Sequence, residues 1–118
     1  MTNKQLLESY GYHFQQIVKH GEKIADFLTS IIEPVIPSVE VYYDSVTLSF
    51  YILCTDDSRS EPENGRDHLL EFLIKDLING VTVEPFLYIL ASPVYVTDAE
   101  ANDIRRIFME NIDREHRG

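Results

Sequence analysis

The chain has 118 residues with 20 acidic side chains against 10 lysines and arginines, a formal net charge of −10. That length suits one domain, with about two thirds of the unfolded surface buried on folding, and the acidity works against direct nucleic-acid binding, which needs clustered basic residues. A single cysteine forms no internal disulfide, and the sequence lacks a long apolar span, so the expectation is one domain over residues 1–118, cytoplasmic and off the membrane.

The first predicted element is a helix over residues 2–34. Thr2 and Gln5 have capping-box spacing, and Leu7, Tyr10, Phe14, Ile17, Gly21, Ile24, Leu28 and Ile31 recur at three- and four-residue steps. Unbroken, it would run roughly 45 Å at 1.5 Å per residue. Either Gly21 or its neighbours bend or break it, or some of Tyr10, Phe14 and Ile17 face a second subunit. Pro34 and Pro37 end it.

"VEVYYDSVTLSFYILC" changes to a period of two. Val39, Val41 and Tyr43 share one side of a first strand; Val46, Leu48, Phe50, Ile52 and Cys54 share one side of a second, with "DS" as the reversal. Both sides of "FYIL" are apolar, which places the second strand at the sheet centre. Tyr42 and Tyr51 alternate away from the apolar side, beside Glu40, Asp44 and Thr47. A tyrosine combines a rigid apolar ring with a polar tip, so these two serve either as contact surface or as core beneath a helix.

"CTDDSRSEPENGRD" follows, an acidic connector with Asp56, Asp57, Glu61 and Glu63. Residues 36–65 hold these four with Glu40 and Asp44 against Arg59 alone, whereas the first 35 residues are close to balanced. "DHLLEFLIKDLING" then reads as helix, Asn64 and Asp67 spaced as a cap and its third helical residue, Gly80 at the exit. "VTVEPFLYILAS" is strand-like, with Pro85 favouring an edge, a bulge or two sub-strands, and "VYV" adds a brief extended piece. Thr97 and Glu100 form a capping box for a last helix with Ala101, Ile104, Ile107, Phe108 and Ile112 inward. The predicted fold is α+β in the order α-β-β-α-β-α, an antiparallel or mixed three-stranded sheet packed with helices.

Motifs for chemistry are sparse. His13 and His20, seven residues apart, lack a third metal ligand, and the acidic run lacks the alternation of a calcium loop, so no metal site is expected. His68 beside Asp67 is a candidate acid or base but reads first as a surface histidine. Cys54 closes an apolar strand next to "TDD", whose charge opposes a nucleophilic thiolate, and reads as packing. No phosphate loop, nucleophile elbow or triad pattern is present, so neither an enzyme nor a cofactor is expected.

The composition points instead to a small protein-binding module: an inhibitor or antidote of a basic or nucleic-acid-binding target, such as a nuclease, a toxin or a nucleic-acid-binding complex. This is the strategy of immunity proteins, anti-defence inhibitors and protein mimics of DNA. The candidate contact residues are Glu40, Tyr42, Asp44, Tyr51, Asp56, Asp57, Glu61 and Glu63. The alternatives are an accessory subunit or homodimer formed through the long first helix, and, third, a small enzyme.

Overall fold

The structure, a computed structural model, describes residues 2–5, 14–63, 65–81, 89–91 and 93–117, excepting the side chains of 14–20, 89–91 and 113–117. At the start, the Thr2 amide donates to Gln5 Oε1 at 2.9 Å and the Gln5 amide to Thr2 Oγ1 at 3.1 Å. This is the reciprocal pairing expected of a capping box, and residues 3–5 are helical. Leu7 and Tyr10 lie outside the described residues, as do the side chains of Phe14 and Ile17, and with them the question of a helix continuous from residue 2.

Helix α1 spans Phe14–Ile32. Ile24, Phe27, Leu28, Ile31 and Ile32 are buried along it, the stripe that three- and four-residue steps dictate. Gly21 sits inside the helix and does not end it. A Cβ at this position would lie 2.4 Å from the Tyr43 ring. Gly21 therefore serves close approach of the helix to the sheet. Past Ile32 the chain turns through Pro34, and the Ile36 amide donates back to the Ile32 carbonyl at 2.8 Å.

Strands β1 (Val39–Asp44) and β2 (Ser49–Cys54) pair antiparallel, with Asp44 opposite Ser49 and Val39 opposite Cys54. Val39, Val41 and Tyr43 point inward with Phe50 and Ile52, as alternation requires. The reversal is longer than the sequence indicated. Residues 45–48 all belong to the turn, so Val46 and Leu48 are not strand residues, and Val46 is 89% exposed. Asp44 Oδ1 accepts from the Val46 amide at 2.8 Å, and Leu48 takes a positive φ of 55°. A turn without glycine is thus closed by an aspartate and a left-handed leucine.

Strand β4 (Ile89–Ala91) lies parallel to β2 on its other side, giving a mixed three-stranded sheet in the order β1-β2-β4 with β2 central. Pro85 falls outside the described residues. On the outer edge of β1, Thr29 Oγ1 of α1 donates to the Val41 carbonyl and accepts from the Val41 amide, both at 2.9 Å, so the backbone groups of Val41 are occupied from the helix.

A second, two-stranded sheet joins β3 (Arg66–Leu69) to β5 (Tyr95–Thr97) antiparallel. Here the sequence reading of a helix beginning in "DHLL" is corrected. Asp67 and His68 are strand residues, Asn64 lies outside the described residues, and helix α2 (Leu70–Asn79) starts at Leu70 without a side-chain cap. The Leu70 amide instead donates to the Val94 carbonyl at 2.9 Å, so tertiary pairing does the work of the cap. Gly80 follows the helix in a right-handed conformation, its N–H donating to Asp76 O at 3.1 Å.

Helix α3 spans Asp98–Arg117. Its capping box forms: the Thr97 amide donates to Glu100 Oε1 at 2.9 Å and the Glu100 amide to Thr97 Oγ1 at 3.1 Å. Ala101, Ile104, Phe108 and Ile112 are buried, and Phe108 meets Phe27 of α1 with ring centroids 5.8 Å apart. The architecture is α+β. The extended piece expected at "VYV" forms as β5, and β3 is the strand the predicted order lacks; among the described residues the two pair with each other as a separate sheet.

Candidate protein-binding surface

Alternation sends Glu40, Tyr42, Tyr51 and Leu53 to the side of the β1–β2 ribbon opposite the core. Register sets Tyr42 across from Tyr51 and Glu40 across from Leu53. The two tyrosine rings stack, with centroids 5.0 Å apart and planes 11° apart, an arrangement that cross-strand neighbours on one face reach without strain. Tyr42 is 39% exposed and Leu53 50%, and Glu40 is exposed. Among the described residues no helix closes this face, so of the two roles open to the tyrosines the structure shows partial exposure rather than core. Leu53 was not singled out from sequence; its position two residues beyond Tyr51 was the available signal.

The acidic segment enters from the Cys54 end of the ribbon. Asp44 stands at the opposite end beside the turn, four residues from Glu40 and so roughly 13 Å from it along β1. Glu40 belongs with the acidic segment; Asp44 does not.

Within the segment the four carboxylates have different duties. Asp56 caps a short 3-10 helix, Asp57–Ser60, with Oδ1 accepting from the Ser58 amide at 3.1 Å and the Ser58 hydroxyl at 2.6 Å. These hydrogen bonds hold its carboxyl below the ordinary value. Oδ2 lies 3.7 Å from Arg59 Nε. Asp57, Glu61 and Glu63 are exposed, and among the described residues no ion pair engages them. Gly65 follows with φ of 81°, a left-handed turn before β3 that glycine adopts freely.

Arg59, the lone cation of this region, turns inward. Its side chain is 9% exposed, and its two terminal nitrogens donate to the two oxygens of Glu100 at 2.9 and 2.7 Å. Nη1 also donates to the Tyr95 carbonyl at 3.3 Å. The paired hydrogen bonds lower the Glu100 carboxyl and raise the Arg59 guanidinium from their ordinary values. This pair anchors the acidic segment to β5 and α3. Sequence reasoning missed it because its partners are 41 residues apart.

Where the outer face meets the segment there is a pocket of about 290 Å³, lined by Leu53, Cys54, Asp57, Ser60, Pro93 and Val94 among others. Cys54 is half-buried against the core, its Sγ 3.6 Å from the Ser38 hydroxyl and from the Asp56 carbonyl.

A second pocket, of about 310 Å³, holds Asp67, His68, Phe72, Asp76, Tyr95 and Arg105. His68 Nε2 contacts Asp98 Oδ1 and lies 3.4 Å from Asp67 Oδ1. A histidine between carboxylates is able to move protons, but His68 is 45% and Asp98 85% exposed, and water screens such a pair. Cys54 is not in this pocket. The side chains of His13 and His20 lie outside the described residues. Among the described residues no group of three or more histidine, cysteine or acidic side chains is placed to hold a metal ion, and no helix is long and apolar enough to cross a membrane.

No family model, curated protein or solved structure matches the chain.

Proposed function

We propose that the protein is an acidic binding module that covers a basic surface of another protein in the cytoplasm, acting as an inhibitor or antidote of a nuclease, toxin or nucleic-acid-binding complex. The observation that supports this best is the stacked, partly exposed Tyr42–Tyr51 pair on an outer sheet face that meets Asp57 at a pocket through Leu53, with the exposed Glu61 and Glu63 following Asp57 in the chain. Aromatic area supplies contact that loses water on docking, while the carboxylates speed encounter and select a basic partner. Asp56 supports the segment rather than touching the partner, because its oxygens are taken by Ser58 and face Arg59.

Affinity capture from the native cell tests the proposal, using wild type, Tyr42→Ala/Tyr51→Ala, and Asp57→Lys/Glu61→Lys/Glu63→Lys as baits. The expected result is one basic protein retained by wild type, lost from both variants and released by high salt. A partner retained equally by all three baits rejects this face as the contact.

A further inference from the structure

The pocket of about 290 Å³ divides by chemistry: Ile52, Leu53, Pro93 and Val94 form apolar wall, while Asp57 and Ser60 bring a carboxylate and a hydroxyl, with Asp56 and Arg59 beside them. Of the β2 residues at the pocket, Leu53 lies on the same side as Tyr51, two residues away, whereas Ile52 and Cys54 turn to the core, so the pocket opens at the end of the ribbon and Leu53 links it to the tyrosine face.

We infer that this pocket receives one basic side chain, an arginine or lysine, of the protein partner. The inference rests on the proposed function and names the group of the partner that the face takes. Local charge favours a cation. Both Glu100 oxygens already meet the Arg59 guanidinium, Arg66 donates to the Ser58 hydroxyl at 2.8 Å, and Asp56 is engaged by Ser58. Asp57 keeps a carboxylate that no ion pair engages among the described residues, and Glu61 and Glu63 follow it.

Shape narrows the occupant. The volume falls just below the usual range of drug-sized ligand sites, about 300–1,000 Å³, and suits a single side chain. An apolar wall beside a carboxylate matches the basic side chains, whose methylene stems pack on apolar surface while the charged head stays at the wet rim. A bare divalent cation would leave Leu53, Pro93 and Val94 without a role and would need more oxygen ligands than converge here.

The test is an amide-resolved NMR titration of the full chain with a capped Gly-Arg-Gly peptide and its citrulline counterpart, which keeps the shape and removes the charge. Saturable shifts centred on residues 53–60 and 93–94 are expected with the arginine peptide and not with citrulline. Asp57→Asn should weaken them about two- to fivefold, the size of one exposed ion pair, and Leu53→Ser should weaken them independently. Both substitutions are at exposed positions, so the unperturbed spectrum certifies the fold of each variant. Equal shifts with citrulline, or shifts spread over Glu40, Glu61 and Glu63 without a centre at the pocket, overturn the socket. The second pattern leaves the acidic docking face standing, because a diffuse field still attracts a basic partner; that face is judged by the capture experiment alone.

Discussion

At the scale of single residues, the Arg59–Glu100 pair decides how the acidic segment is held. An arginine side chain only 9% exposed, with both terminal nitrogens on one carboxylate, is costly to leave alone. Glu100→Gln keeps the volume and the capping acceptor for the Thr97 amide but removes the charge. It should destabilise the fold by about 2–3 kcal/mol, below the full cost of breaking a buried pair because Glu100 is itself 21% exposed. Adding Arg59→Met should recover part of the loss, as the uncompensated cation is gone. The pair also sets an acid limit. The Glu100 carboxyl is lowered on folding, so the unfolded chain binds its proton first; the contribution is full above the unfolded value and is lost as pH falls through the folded one. Asp56 acts in the same direction. Urea unfolding followed from pH 6 to pH 3 should therefore show a stability loss in wild type that is shallower in Glu100→Gln. The same slope in both would rule Glu100 out as its source.

Tyr42 and Tyr51 separate folding from binding at this same scale. The stack contributes about 0.5–1.5 kcal/mol to the ribbon, whereas an interface anchor is worth 2 kcal/mol or more on truncation. Tyr51→Ala should consequently cost the partner complex about thirtyfold in affinity while the chain loses little stability. Calorimetry of the complex beside thermal melting of the free variant checks both halves. An affinity loss no larger than the stability loss would return the ring to a purely structural role.

At the scale of elements, Gly21 and Tyr43 fix how α1 lies on β1. Gly21→Ala gains helix propensity of about 1 kcal/mol, but its methyl would sit 2.4 Å from a buried ring, and overpacking costs about 1–3 kcal/mol. The expected net effect is a lower urea midpoint, relieved when Tyr43→Leu is added; a raised midpoint for Gly21→Ala alone would show that the helix shifts without strain. Gly21 also shows which parts of the fold were legible. Its place on the apolar stripe could be read from three- and four-residue steps, but its reason is a ring 22 positions further on, and the local reading of glycine as a breaker failed. Both capping boxes and the central position of β2 were legible because their causes are local. Strand β3 was not: "RDHL" lacks alternation and flows into a helical stripe, and it is extended because Tyr95–Thr97 pairs with it. For the candidate site, the tyrosine pair followed from a period of two, whereas the division of the acidic segment into the cap Asp56 and the uncommitted Asp57, Glu61 and Glu63 required the Arg59–Glu100 anchor.

At the scale of the whole molecule, net charge of −10 is unevenly held, with residues 36–65 carrying six carboxylates and an arginine whose charge Glu100 already meets. A field of this kind acts mainly before contact, raising encounter rates by about 10–1,000-fold at low salt, and it fades beyond roughly 8 Å at physiological ionic strength. In the proposed complex the aromatic face would act after contact, by slowing departure. The two halves of the proposed surface should therefore part in kinetics. Asp57→Lys/Glu61→Lys/Glu63→Lys changes exposed side chains that make no ion pair among the described residues, so each should alter stability by no more than about 0.5 kcal/mol. The triple variant should lower the association rate with the basic partner and flatten its dependence on salt, leaving dissociation nearly unchanged; Tyr51→Ala should do the reverse. Stopped-flow association at 20 and about 300 mM salt, values that bracket the range over which screening sets in, reads both. If the triple reversal keeps the wild-type salt slope, the field over this segment plays no part in docking, and the acidity serves only to hold copies of the chain apart.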